Sequence, residues 1–254
     1  RFIYFQLFLI SMVSVEELRS RVAEYLRFNK QEVSSLIIAI LATTLIFAFD
    51  DGRTTFSWGP WIGNFIAVLI IVTFTIFVKY IIQKISALRE GYTAEFKLWW
   101  VGIGIALIVG LITSGKVALV LIGGVATTFI SRHRLGEFRY GFSYEDNASV
   151  SIMGVVANIH LAILFAVLLY FTHYRIFALA LNFNIIMGVL SLLPFPQLDG
   201  LQIFWGSRSW YYMIVVGMLL FSVLLLSKST IGLVLAIILM GVGDFMKYMV
   251  SSEK

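Results

Sequence analysis

Ser191-Leu192-Leu193-Pro194-Phe195-Pro196-Gln197-Leu198-Asp199-Gly200 interrupts two long apolar runs and holds two of the three prolines in the chain. Prolines at alternate positions forbid continuous helix, because each ring removes a backbone donor and turns the preceding residue toward an extended conformation. Within a bilayer, broken backbone is tolerated only where protein buries it or where it lines a wet cavity. A carboxylate directly after such a break marks a candidate built site, and Asp199 stands there. Asp-Gly is also ordinary turn chemistry at a helix end, and both readings are open on spacing alone.

Outward from this stretch the chain is strongly apolar. Of its 254 residues 60% are hydrophobic and only 13% charged, with a mean hydropathy of +0.94. A soluble domain carries about 25% charged residues, so the composition predicts a polytopic membrane protein with little soluble mass. The formal net charge of +5 fits lysine and arginine retained on cytoplasmic loops, and no basic run or aromatic-basic stripe points to nucleic acid. The absence of cysteine excludes a disulfide frame, a thiolate nucleophile and thiolate metal ligands.

Seven apolar segments are predicted to cross: Ser34–Phe49, Trp61–Val78, Leu98–Thr113, Ser149–Thr172, Ile176–Leu193, Trp210–Leu226 and Ile231–Met246. The fold class is an all-α polytopic membrane protein of six to seven transmembrane helices. Gly115–Ser131, β-branched and carrying Gly123-Gly124, is expected as a membrane-embedded irregularity, either a re-entrant hairpin or a strand pair. Residues 1–33 read as an N-terminal interfacial segment and 34–254 as one transmembrane domain, with Val13–Val33 a single amphipathic helix. Arg1–Ser11 is apolar but too short to span, and shows no small-residue cleavage signal. The loops around Lys79–Lys97 and Arg132–Arg139 are the basic ones, which predicts a cell-membrane protein with both loops and the N-terminus in the cytoplasm.

Three stretches resemble, in order, motifs of the site-2 protease family of intramembrane zinc metalloproteases. Pro194, Pro196, Leu198, Asp199 and Gly200 match that family's Asn-x-x-Pro-x-Pro-x-Leu-Asp-Gly, with Ser191 in place of asparagine. Gly154-Val155-Val156-Ala157-Asn158 is similar to its Gly-Pro-x-x-Asn, with Val155 in place of proline. Gln83 to Trp99, with Lys84, Ala87, Arg89, Gly91, Ala94, Glu95 and Phe96, is similar to the run after the zinc helix in archaeal members. The resemblance covers about residues 61–200.

The family's chemistry needs His-Glu-x-x-His on one helix. The i, i+4 spacing stacks two imidazoles on one face as zinc ligands, glutamate is the general base, and the later aspartate closes the coordination. Laid onto this sequence, the resemblance puts Lys79, Tyr80 and Gln83 at those three positions, so none of the catalytic helix is intact. A protonated ammonium cannot ligate zinc, an amide ligates it poorly, and a tyrosine of ordinary pKa is no base at neutral pH. Asp199 is the only retained ligand, and His160 is a weak substitute better read as a core histidine.

The resemblance therefore implies a pseudoprotease with no expected metal cofactor, embedded in the lipid bilayer and binding membrane-spanning or membrane-anchored clients. Its groove would run between Gly115–Thr128, with Gly123 and Gly124, and the extended Pro194–Leu198, with Phe195. Lys79 is expected either to pair with Asp199 in place of the metal or to snorkel to the interface beside Lys84. Asp244 and Lys247 read as an i, i+3 helix-face salt bridge. Two other functions stay open: a zinc metalloprotease with non-standard ligands, and a transporter or channel component built on Lys79, Asp199 and Asp244.

Overall fold

A computed structural model describes residues 15–50, 52–53, 57–130 and 143–252, the side chains of 15, 129 and 246–252 excepted. The expectations for Arg1–Ser11, for Arg132–Arg139 and His133, and for the side chain of Lys247 lie outside the described residues. Within them the chain forms nine helices and two strands, in the order α1 (Val15–Tyr25), α2 (Lys30–Ala48), α3 (Trp58–Glu90), β1 (Tyr92–Leu98), α4 (Trp100–Ile112), β2 (Gly123–Phe129), α5 (Tyr144–Thr172), α6 (Arg175–Ser191), α7 (Asp199–Gly206), α8 (Arg208–Leu226) and α9 (Thr230–Ser252).

The N-terminal amphipathic run is two helices rather than one. Residues 26–29 break it, and α2 restarts at Lys30, where the Asn29 N–H donates to Glu32 Oε2 at 3.2 Å and so satisfies one orphan donor of the new helix. The helix α3 ends on Gly91, whose φ of 87° supplies the left-handed cap that a side chain disfavours. Ser143 opens α5 by accepting from the Asp146 N–H.

Four helices, α2, α3, α5 and α8, are long and apolar enough to cross a membrane, which marks a multi-pass membrane protein. The other three expected crossings fall on shorter apolar helices: α4 with 13 residues, α6 with 17, and the Thr230–Phe245 part of α9. The third shrinks because Leu98 ends a strand instead of starting a helix. The core lies where α3, α5 and α6 meet, with Val72, Ile76, Ala162, Phe165, Leu181 and Phe183 all buried. The outer faces are apolar too, with Ile66, Ile70 and Phe74 of α3 and Val216, Leu220 and Val223 of α8 exposed. Hydrocarbon on both sides of a helix is what lipid demands.

The irregularity at Gly115–Ser131 is not a local hairpin. Its strand β2 pairs antiparallel with β1, from Tyr92 opposite Phe129 to Leu98 opposite Gly123. The ladder is continued by Ile130 N–H to Gly91 C=O at one end and Trp99 N–H to Ile122 C=O at the other. Antiparallel pairs alternate between bonded and non-bonded, so the backbone groups of Phe96 and Val125 point away from each other, to the two outer edges of the sheet.

Candidate functional site

Asp199 is the first residue of α7 and is buried. The segment before it is a turn and not an extended wall: the Leu198 N–H returns to the Phe195 C=O at 3.2 Å, with Pro196 second and Gln197 third at a φ of 66°. Proline followed by a left-handed residue is type II turn geometry. Two glycines let this turn sit tight. A Cβ on Gly200 would stand 2.1 Å from the Leu192 carbonyl oxygen, and one on Gly124 of β2 would stand 2.6 Å from that of Gln197. Asp199-Gly200 is thus backbone packing as well as a carboxylate.

From the facing helix α3, residues 79 and 83 reach the same carboxylate, because i, i+4 positions share one helix face. Lys79 Nζ lies 2.8 Å from Asp199 Oδ2, and Gln83 Nε2 donates to Asp199 Oδ1 at 3.0 Å. Lys79, Gln83 and Asp199 are all buried. The Lys79 contact is an ion pair without good hydrogen-bond angles, and Oδ2 has no other partner among the described residues. Room for both side chains comes from Gly154 on α5: a Cβ there would be 2.3 Å from Gln83 Nε2 and 2.9 Å from Lys79 Cε. Lys79 therefore does not snorkel.

Tyr80, between them in sequence, points elsewhere. Its hydroxyl donates to Glu32 Oε1 on α2. Glu32 is buried and also accepts from Lys84 Nζ at 2.9 Å, from the Phe96 N–H at 3.2 Å and from the Asn29 N–H at 3.2 Å. Lys84 in turn lies 4.4 Å over the Phe28 ring and donates to the Arg27 carbonyl. This second buried carboxylate ties α2, α3 and β1 together and was not visible as a site in the sequence, where Glu32 reads as one charge in an amphipathic run. The Asn29-x-x-Glu32 capping pattern was the available signal. At the start of β1, burial and the Asp146 carboxylate that accepts its hydrogen bond push the Tyr92 phenol up to about 12.

The remaining residues singled out in the sequence are dispersed. Asn158, one turn beyond Gly154, is fully buried, and neither end of its amide has a partner among the described residues. Ser191 donates to the Gly188 carbonyl at 2.9 Å. Gly123 is buried at the start of β2, whereas Phe195 is exposed and lies against Trp99, ring centroids 6.0 Å apart. Pro194, just before the turn, and Pro196, within it, are exposed. A cavity of about 420 Å³ is lined by the start of α2, both strands, Gln197 and Gln202; Gly124 borders it, while Gly123 and Phe195 do not.

His160 is not a core histidine. About half exposed, it binds the Val156 carbonyl through Nδ1 and Asp244 Oδ2 through Nε2, at 2.9 and 3.0 Å. That contact also gives Asp244 a partner on α5. With both ring nitrogens so engaged, His160 has no hydrogen bond to Asp199 among the described residues.

A zinc site needs three or four neutral or anionic donors converging at about 2.0–2.3 Å. The groups around Asp199 do not fit this: an ammonium repels a cation, and the carboxamide presents its N–H to the carboxylate. Among the described residues no group of three or more His, Cys, Asp or Glu is placed to hold a metal ion. The same groups do compensate the charge of a buried carboxylate, which otherwise costs several kcal/mol or protonates.

Compared with known proteins, the chain is 27% identical over 190 residues to "Putative zinc metalloprotease MJ0611" of Methanocaldococcus jannaschii, across 72% of this chain and 89% of that one. The two are distant homologues. No protein-family model matches the chain, and no solved structure matches it significantly. In this chain the i, i+4 pair on α3 brings an ammonium and an amide to Asp199.

Proposed function

We propose that this chain is a pseudoprotease: a multi-pass membrane protein that keeps the site-2 protease scaffold, uses Lys79 and Gln83 in place of a metal, and binds membrane-spanning or membrane-anchored clients. The observation that carries the reading is the pair of contacts on Asp199, the ammonium at 2.8 Å and the carboxamide at 3.0 Å. Together they neutralise and orient the one family ligand that the sequence retains. Its general base is absent as well, since position 80 is a tyrosine bound to Glu32. What survives is a two-stranded sheet beside a polar cavity, which suits capture of an unwound client segment by strand addition. The basic loops and the N-terminus face the cytoplasm in this reading.

Photo-crosslinking tests it. A probe at residues 124–128 of β2, or at Phe195, should capture membrane proteins in cells, and a probe on the outer face of α8 should not. Equal capture from all three positions would overturn the proposal. The second reading, a zinc metalloprotease with non-standard ligands, is favoured by the homologue's name alone.

A further inference from the structure

Both outer edges of the β1–β2 sheet are closed by side chains at the same rung. At Phe96 opposite Val125 the backbone groups face outward. The Phe96 N–H is taken by Glu32 Oε1 at 3.2 Å, and the Val125 C=O by Gln202 Nε2 at 2.8 Å. Gln202 is itself held by Ser151 of α5, whose hydroxyl donates to Oε1 at 2.6 Å. A carboxamide has the same donor and acceptor groups as a peptide bond. Gln202 therefore presents to the β2 edge what a neighbouring strand would present.

The two closures differ in what opening them costs. Glu32 is a buried carboxylate with donors from Tyr80, Lys84, Asn29 and Phe96, so withdrawing it strands a charge and several donors. Gln202 is neutral, only half-buried, and lines the 420 Å³ cavity. Its helix packs closely at both ends: a Cβ at Gly200 would meet the Leu192 carbonyl at 2.1 Å, and one at Gly206 would meet the Tyr144 carbonyl at 2.5 Å. A swing of the side chain opens the rung without disturbing that packing.

We propose that Gln202 is a stand-in for the client strand, holding the Val125 carbonyl until the backbone N–H of an extended client segment displaces it. This inference rests on the client-binding reading above. It adds the rung at which the client pairs, the edge it uses and the residue that competes with it. Gln202 is a competitor of binding, so removing its donor strengthens capture.

The test uses the full chain in lipid nanodiscs and a fluorescein-labelled, leucine-rich single-span peptide with a central Asn-Gly-Ser-Gly break. A second peptide carries N-methyl groups throughout the break and cannot donate there. Gln202→Glu keeps the side chain's size and its acceptor for Ser151 but loses the donor; Gln202→Ala removes both. Loss of one competing neutral hydrogen bond is expected to tighten binding of the unmethylated peptide about fivefold in both variants, and the N-methylated peptide should bind weakly to all three proteins. Equal affinity in wild type and variants, still sensitive to N-methylation, would overturn the stand-in role while leaving strand capture intact. No binding by any protein, or binding indifferent to N-methylation, would overturn strand capture and the stand-in with it.

Discussion

Lys79 and Asp199 are both buried and 2.8 Å apart, so removing one leaves the other charged where water does not reach it. Breaking a buried pair from one side costs about 3–5 kcal/mol, whereas replacing both partners by apolar groups is often close to neutral. Lys79→Met and Asp199→Leu are each expected to fall in that range and the double variant to recover most of the loss, measured by unfolding in mixed micelles. A coupling below a few tenths of a kcal/mol would show that the ion pair does not hold the site. Gln197, at a φ of 66°, sits in the left-handed region that glycine adopts without strain. Gln197→Val should cost about 1–3 kcal/mol because a β-branched side chain tolerates this region worst, and Gln197→Gly should leave thermal stability equal or slightly raised. At this scale the sequence was informative: the motif offered a pair with Asp199 as one of two expected fates of Lys79, beside snorkelling to the interface. Gln83 was read there only as a lost ligand, because its role as a donor to the carboxylate depends on the opening at Gly154, which spacing does not reveal.

Among the elements, α3 is clamped from both flanks by carboxylates, Asp199 from α7 and Glu32 from α2. Gly154 is where α5 yields space to the first clamp. Gly154→Ala would push Gln83 off Asp199, and overpacking of a buried contact is expected to cost about 1–3 kcal/mol, with the larger part recovered by Gln83→Ala in the same chain. Glu32 anchors the second. In Glu32→Ala the Phe96 amide loses its acceptor, so hydrogen exchange at Phe96 should accelerate at least tenfold while amides in the middle of α5 stay protected; unchanged exchange at Phe96 would mean that α2 does not guard this edge. The strand β1 was legible and passed over, since Tyr92, Ala94, Phe96 and Leu98 alternate with Thr93, Glu95 and Lys97 at the strand period. Its partner β2 was placed in the right segment but given a local partner, because pairing across the intervening α4 leaves no periodic trace in the sequence.

For the whole molecule, length and hydropathy were enough to predict a polytopic helical protein, and all seven apolar segments lie largely on helices, four of them of spanning length. They could not tell that α4 starts only at Trp100, since an apolar run does not show that Leu98 ends a strand. Nor could they show that a broken helix end, a two-stranded sheet and two lysine–carboxylate pairs converge on α3. That convergence is the basis of the central claim, that Lys79 and Gln83 have taken over the task of a metal at Asp199. Its most direct test is the zinc content of the detergent-purified chain after exposure to excess zinc and desalting, measured beside Asp199→Ala. The claim predicts far less than one zinc per chain, with no difference between the two proteins. One zinc per chain that Asp199→Ala loses would contradict it and return the site to hydrolytic chemistry.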